Sequence, residues 1–215
     1  MIASAGRADD FRRRAAERLR REPPSLFEPD SAYTGDHAIG DNAHLPVRPA
    51  APKPAAVLVP VVADDDEPAI ILTERATGLR SHSGQIAFPG GQIDDADASP
   101  LDAALREAEE EIGLERRHVE SIGYLDGYLS SSGYLVVPCV ALVSPARTLR
   151  LNAHEVAAAF EVPLGFLMDE ANHQLQSREW QGLTRHFYAM PFGERYIWGV
   201  TAGILRNMYE RLYGP

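Results

Sequence analysis

The chain has 215 residues, 45% hydrophobic and 24% charged, with a formal net charge of −10 at pH 7. That suits one soluble globular domain with appendages, and excludes a general nucleic-acid binder, which needs a basic surface. A polyanionic substrate met by a few arginines and metal ions remains compatible with the acidic balance.

Residues 8–22 include FRRRAAERLRRE, with Phe11, Ala15 and Leu19 at helical spacing among arginines. Such a segment could lie on a membrane or act as a targeting signal. The acidic flanks and narrow apolar stripe instead favour a surface helix packed on the domain. Residues 23–54, ending in PVRPAAPKP, read as an extended Pro-rich arm. Two strand-like runs follow, AAVLVPVV (55–62) and AIILTER (69–75), joined by ADDDEP as a hairpin. Asp64 to Glu67 lacks the spaced ligands of a calcium loop and reads as a solvated turn.

Residues 76–87 form a polar loop ending in a short strand, followed by the FPGG turn (Phe88 to Gly91) and the acidic loop IDDADAS. Ser99 to Leu114 is one amphipathic helix. Ser99 caps it, Pro100 suits the first helical position, Asp102 complements the N-terminal dipole and Gly113 ends it. At about 100° per residue, Leu101, Ala104, Leu105, Ala108 and Ile112 share an apolar face. Glu107 and Glu111 run along its edge with Glu110 just beyond, and Ala103 and Ala104 lie one turn earlier.

Strands are expected at 118–129 and 134–143, turning at Ser130 to Gly133. Cys139 is the only cysteine, so no internal disulfide can form, and its place in the apolar run VVPCVALV makes its thiol read as buried. HEVAAAFEVPL (154–164) is a strand entering a helix, GFLMDEAN, and a second hairpin turns at Gln181 and Gly182. Residues 197–213 form a second amphipathic helix with Ile204, Leu205, Met208 and Leu212 inward. Strands interleaved with two major helices give an α/β fold whose mixed sheet is covered on both faces. No long apolar run or secretory signal is present, so no membrane association is expected and the cytoplasm is the default location.

The chemistry concentrates where the FPGG turn meets the carboxylate helix. Clustered carboxylates repel unless something positive compensates, and Mg2+ or Mn2+ prefers such oxygens. Gly90 and Gly91 let the backbone approach a ligand or metal closely. Arg106 lies within reach of Glu110 and could hold the carboxylates in position. The pattern therefore points to a divalent metal acting on a phosphoryl group. Scattered surface ion pairs would explain a single charged helix, but here the glutamates outnumber the nearby cations and line one edge.

REAEEEIGL (106–114) resembles the second half of the Nudix box, G-x5-E-x7-R-E-U-x-E-E-x-G-U, with Arg106, Glu107, Glu110, Glu111 and Gly113 in register. The first half departs from it: counting from Gly91, the first glutamate is Asp97, with one extra residue before Arg106. ILTERATGLRSHSGQIAFPGG (71–91) is similar to the signature L-L-T-x-R-[SA]-x3-R-x3-G-x3-F-P-G-G of the coenzyme A diphosphatase branch. Leu72, Thr73, Arg75, Ala76, Arg80, Gly84 and Phe88 to Gly91 match it.

The resemblance implies a Nudix fold, an α/β/α sandwich with a mixed central sheet, over residues 55–215, preceded by the helix and arm of 1–54. It implies Mg2+- or Mn2+-dependent hydrolysis of coenzyme A, and by extension acyl-CoA, to 4′-phosphopantetheine and 3′,5′-ADP. Glu107, Glu110 and Glu111 are the implied metal ligands. Arg75 and Arg80 are candidates for the 3′-phosphate, with ordinary salt bridging the competing role, and Gly90 and Gly91 would also face substrate. Glu155 is the candidate later-loop base or ligand in preference to Glu161. His82 reads as a polar loop residue, and His154 has no zinc partner. A homodimer using the N-terminal arm is a further expectation. The alternatives are a Nudix hydrolase for ADP-ribose or NADH, and a non-catalytic module that binds a nucleotide or a protein partner.

Overall fold

The protein is described by a computed structural model covering residues 8–25, 33–42, 52–64, 67–77, 84–180 and 182–214. In chain order the elements are α1 (Ala8–Arg18), β1 (Thr34–Gly35), β2 (Lys53–Val62), β3 (Ala69–Arg75), β4 (Ile86–Ala87), β5 (Gly90–Gln92) and α2 (Pro100–Ile112). Then come β6 (Val119–Tyr124), β7 (Tyr128–Leu129), β8 (Tyr134–Val143), β9 (Val156–Pro163), α3 (Leu164–Leu167), β10 (Gln174–Trp180), β11 (Leu183–Phe192), β12 (Arg195–Trp198) and α4 (Val200–Leu212).

β2 and β8 are almost unbroken apolar runs, as expected of parallel strands buried on both faces. They pair in parallel from Lys53 opposite Tyr134 to Val62 opposite Val143. Period-two alternation divides their side chains between two cores. Ala55, Val59 and Val61 join Val136, Val140 and Leu142 beneath α1, α4 and the antiparallel sheet β10–β11–β12. Ala56, Leu58 and Val62 join Val137, Cys139 and Ala141 beneath α2. The result is a mixed nine-stranded sheet between two layers.

Both central strands carry a proline in their interior, Pro60 in β2 and Pro138 in β8, where it is normally excluded because it cannot donate to the ladder. Each lies where the neighbouring strand changes. Pro138 falls between the β7 pairing, which begins at Val136, and the β6 pairing, which ends at Cys139. Pro60 falls between the β5 pairing at Ala55–Val57 and the β3 pairing at Val61–Val62. The second break matters for the site. β2 exchanges β3 for β5 along one edge, and this brings Gly90 and Gly91 under α2.

Several sequence expectations are adjusted. The expected hairpin of residues 55–75 exists, but only its closed end pairs, because β3 turns away to β4 and β9. The run 118–129 is two strands, interrupted where Leu125 donates its N–H to the Pro138 carbonyl at 3.1 Å. GFLMDEAN supplies only the single turn α3 and a 3-10 turn at Glu170–Asn172. The terminal helix begins at Val200 rather than 197, since Ile197 and Trp198 pair with β11 as β12. Gln181, in the second hairpin turn, and Asp65 and Asp66, in the acidic turn, lie outside the described residues.

Phe11 and Ala15 of α1 are buried against the domain, confirming the packed surface helix. Thr34 and Gly35 of the arm add β1 in parallel to β7. There Tyr128 donates its phenol to Asp36 at 2.5 Å, and Asn207 of α4 donates to Thr34 Oγ1 at 2.8 Å. Among the described residues no helix is long and apolar enough to cross a membrane.

Tyr128 is almost fully buried and packs on Gly203 of α4, where an added Cβ would collide with the phenol ring. Gly203→Ala is predicted to destabilise the fold by about 1–3 kcal/mol through overpacking. A lowered thermal midpoint by circular dichroism checks this; an unchanged midpoint would place Tyr128 elsewhere.

Candidate active site

The helix that carries the carboxylates starts and stops as its sequence dictates. Ser99 accepts from the Asp102 N–H at 3.1 Å and donates its hydroxyl to the Asp102 carboxylate at 2.8 Å. Gly113 takes the left-handed conformation at φ 65°, which disfavours side chains with a Cβ. The helix is rotated relative to the expected face. Ala103, Ala104, Ala108, Ile112 and Glu111 are buried, while Leu101 and Leu105 are only half-buried. Alanines allow α2 to close on β2 and β5, so Glu111 lies within the buried face rather than along its edge.

Glu111 is the centre of the arrangement, with its side chain only 4% exposed. One oxygen accepts the Gly90 N–H at 3.2 Å, and the other lies 3.6 Å from the Arg75 guanidinium. Burial pushes its carboxyl up to about 7; the Gly90 N–H and Arg75 oppose the rise, and the charges of Glu107 and Glu155 add to it. Glu107, one turn earlier, is also raised, first by burial, with Arg106 pulling it down. Its carboxylate lies against Gly91 so closely that a Cβ there would approach it to 2.5 Å.

Arg106 ties the outer carboxylates together. Its Nε and Nη2 make a two-pronged contact with Asp97 at 3.0 and 2.9 Å. Its Nη1 reaches Glu107 at 2.8 Å and Glu110 at 3.3 Å, and Nη2 also donates to the Gln92 carbonyl. Asp97 is held below the usual carboxylate range chiefly by this hydrogen bonding, and Arg106 is held above its own. Glu110 remains largely exposed, with 55% of its side chain accessible.

Glu155 lies in the turn immediately before β9. Its carbonyl accepts the Ala76 N–H at 2.8 Å, immediately after Arg75. Its carboxylate accepts from Asn152 Nδ2 at 3.1 Å, and its charge acts on both Glu107 and Glu111. Glu161, the rejected candidate, instead pairs with Arg147.

Thus Glu107, Glu111, Arg75, Gly90, Gly91 and Glu155 come together, with Arg106 and Glu110 on the outer side. Arg80 and His82 lie outside the described residues. Sequence reasoning noted Asp97 as the displaced box position but did not assign it to the Arg106 clamp. The acidic loop IDDADAS was its only signal. Asn152 was missed, because its bonds depend on where two distant segments dock.

The donor chemistry fits a hard divalent cation. Glu111 and Glu107 are desolvated carboxylates one turn apart, paired with Arg75 and Arg106 respectively. Among the described residues, no three Asp, Glu, His or Cys side chains converge closely enough to hold an ion in their present positions.

Comparison with known proteins gives concordant results. The NUDIX domain family matches residues 52–183. A protein of Escherichia coli (strain K12), named Uncharacterized Nudix hydrolase NudL, is 40% identical over 154 residues, covering 72% of this chain and 80% of its own. The NudL of Shigella boydii serotype 18 matches with the same identity and coverage. Among solved structures, a Caenorhabditis elegans Ap4A hydrolase binary complex aligns over 50% of this chain and 77% of its own, at 18% identity and a TM-score of 0.43.

Two outcomes follow from the geometry. Gly91→Ala is predicted to displace the Glu107 carboxylate and lower diphosphate turnover roughly tenfold or more. Steady-state kinetics beside a melting curve checks this, and wild-type turnover would remove Glu107 from the site. In metal-free protein the fold favours protonated Glu111. Its contribution to stability is complete below about pH 4.5 and lost as pH rises through about 7, a change of about 3 kcal/mol. Glu111→Gln, neutral throughout, should therefore gain in thermal midpoint on wild type between pH 5 and 8 in EDTA. A constant difference would mean that Glu111 ionises like a surface carboxylate.

Proposed function

The chain belongs to the Nudix family and is a hydrolase acting on pyrophosphate bonds, and from that premise we propose that its substrate is the diphosphate of coenzyme A. The products would be 4′-phosphopantetheine and 3′,5′-ADP, with acyl-CoA as an extension and the cytoplasm as the location.

One observation carries the substrate assignment. The stretch resembling the coenzyme A signature begins on β3 and ends at the FPGG turn, and both ends meet at Glu111. Arg75 lies at 3.6 Å from one of its oxygens and Gly90 donates to the other at 3.2 Å. The segment that would read the substrate is thereby joined to the helix that would perform the reaction.

Glu107 and Glu111 would hold a Mg2+ or Mn2+ ion, with Glu110 available as a further ligand. When bound, such an ion supplies charge neutralisation for the diphosphate and an activated water. The remaining work falls to the chain itself. Gly90 and Gly91 leave room for the diphosphate to approach the backbone. Arg75, with Arg80, would bind phosphate oxygens through paired donors. Glu155 would accept a proton from the attacking water, a role supported by the action of its charge on both Glu107 and Glu111. Arg106, fixed by Asp97, keeps Glu107 and Glu110 from rotating away.

The test compares hydrolysis of coenzyme A, ADP-ribose and NADH with Mg2+. Coenzyme A is predicted to have the highest kcat/KM, and Glu111→Gln to reduce it roughly a hundredfold or more. Preference for ADP-ribose or NADH would overturn the substrate assignment. Unchanged turnover in the variant would overturn the ligand assignment, and absence of turnover on all three would favour a binding module.

A further inference from the structure

The geometry points to Asn152 as a positioning residue that holds the Glu155 carboxylate toward the Glu107–Glu111 pair, by fastening its turn to the end of α2. This rests on the reading of Glu155 as proton acceptor.

An α-helix leaves its last carbonyls without intrahelical partners. In α2 these carbonyls are met partly by a segment nearly forty residues further along the chain. Arg150 donates its N–H to the Ile112 carbonyl at 2.8 Å, and Asn152 donates its own to the Glu111 carbonyl at 2.9 Å. The approach is close, since a Cβ on Gly113 would lie 2.9 Å from the Arg150 backbone. Glu111 therefore contributes twice: its side chain lies in the site, and its carbonyl receives the segment that brings the later carboxylate.

Asn152 turns that anchorage into an orientation. Its Oδ1 accepts the His154 N–H at 3.2 Å, and its carbonyl accepts the N–H groups of Glu155 and Val156, both at 2.9 Å. Its Nδ2 donates to Glu155 Oε1 at 3.1 Å. Among the described residues, this is the side-chain hydrogen bond given to that carboxylate. From the opposite side the Ala76 N–H holds the Glu155 carbonyl. The backbone of Glu155 is thus fixed from α2 and from β3, and Asn152 sets where its carboxylate points.

The type of residue matters. Asparagine carries a donor and an acceptor on one short side chain, so it holds the Glu155 carboxylate and the His154 N–H at the same time.

A double-mutant cycle on the full-length protein, with coenzyme A and Mg2+, tests the inference. Asn152→Ala is expected to lower kcat about tenfold with little change in KM. Glu155→Gln should lower it roughly a hundredfold, within the range for a lost general base. The double variant should match Glu155→Gln within about a factor of two, because Asn152 acts through that carboxylate. Losses that multiply in the double variant would overturn the proposal, as would wild-type kcat in either single variant.

Should Asn152→Ala fail to fold, Asn152→Asp decides. It keeps the acceptor for the His154 N–H but sets a carboxylate against Glu155, so its kcat should fall at least tenfold, and wild-type kcat would refute the role. If the wild type hydrolyses ADP-ribose and not coenzyme A, the substrate assignment fails by itself, and the same cycle on ADP-ribose decides the role of Asn152.

Discussion

Removing a carboxylate from water is costly unless hydrogen bonds or opposite charges compensate, and Glu111 is nearly inaccessible while facing two other glutamates. Among the described residues the compensation is modest: one backbone N–H from Gly90 and a guanidinium 3.6 Å away. That imbalance explains much of the surrounding structure. The FPGG turn must pass directly beneath α2 to bring the Gly90 N–H to the carboxylate. β2 must therefore release β3 early and accept β5 in its place. Pro60 falls where the ladder changes partner, where its missing donor interrupts no continuous pairing. Alanines at positions 103, 104 and 108 let the helix come close enough. The residual negative field is what would draw a divalent cation, and through it a diphosphate, to this surface.

The two arginines at the site have different tasks because their surroundings differ. Arg106 is saturated, with Asp97 gripping one side of the guanidinium and two glutamates and a carbonyl sharing the rest. It has little donor capacity left for a ligand and serves to hold the outer carboxylates. Among the described residues Arg75 makes one long ion pair, and it is partly exposed, so donors are left for a phosphate. Glu155 follows a turn fastened to the end of the same helix, where Asn152 donates its N–H to the Glu111 carbonyl.

The parts of this arrangement visible in the sequence are those encoded locally. The Ser99 cap, Pro100, Gly113 and the spacing of Glu107, Glu110 and Glu111 all act within one or two helical turns, so the residues alone specify them. The β2 and β8 strands were equally plain, because apolar runs of that length have few other uses. The rotation of α2 was less visible. Periodicity places Leu101 and Leu105 on the apolar face, but the small volumes of the alanines determine which side comes nearest the sheet. The start of α4 was misread because Ile197 and Trp198 continue an apolar pattern that suits a helix as well as a strand. Asn152 left no local trace, since its contribution runs through backbone carbonyls of a helix far away in the chain.

Glu107 and Glu111, held apart from water beneath the FPGG turn, are the proposed core of a divalent cation site. Mn2+ binding followed by loss of the free-ion electron paramagnetic resonance signal tests it without recourse to turnover. Wild-type protein should remove Mn2+ from solution, and Glu107→Gln and Glu111→Gln should each weaken that uptake at least tenfold while Glu161→Gln leaves it unchanged. Equal uptake by all four proteins would show that these two carboxylates do not hold the ion.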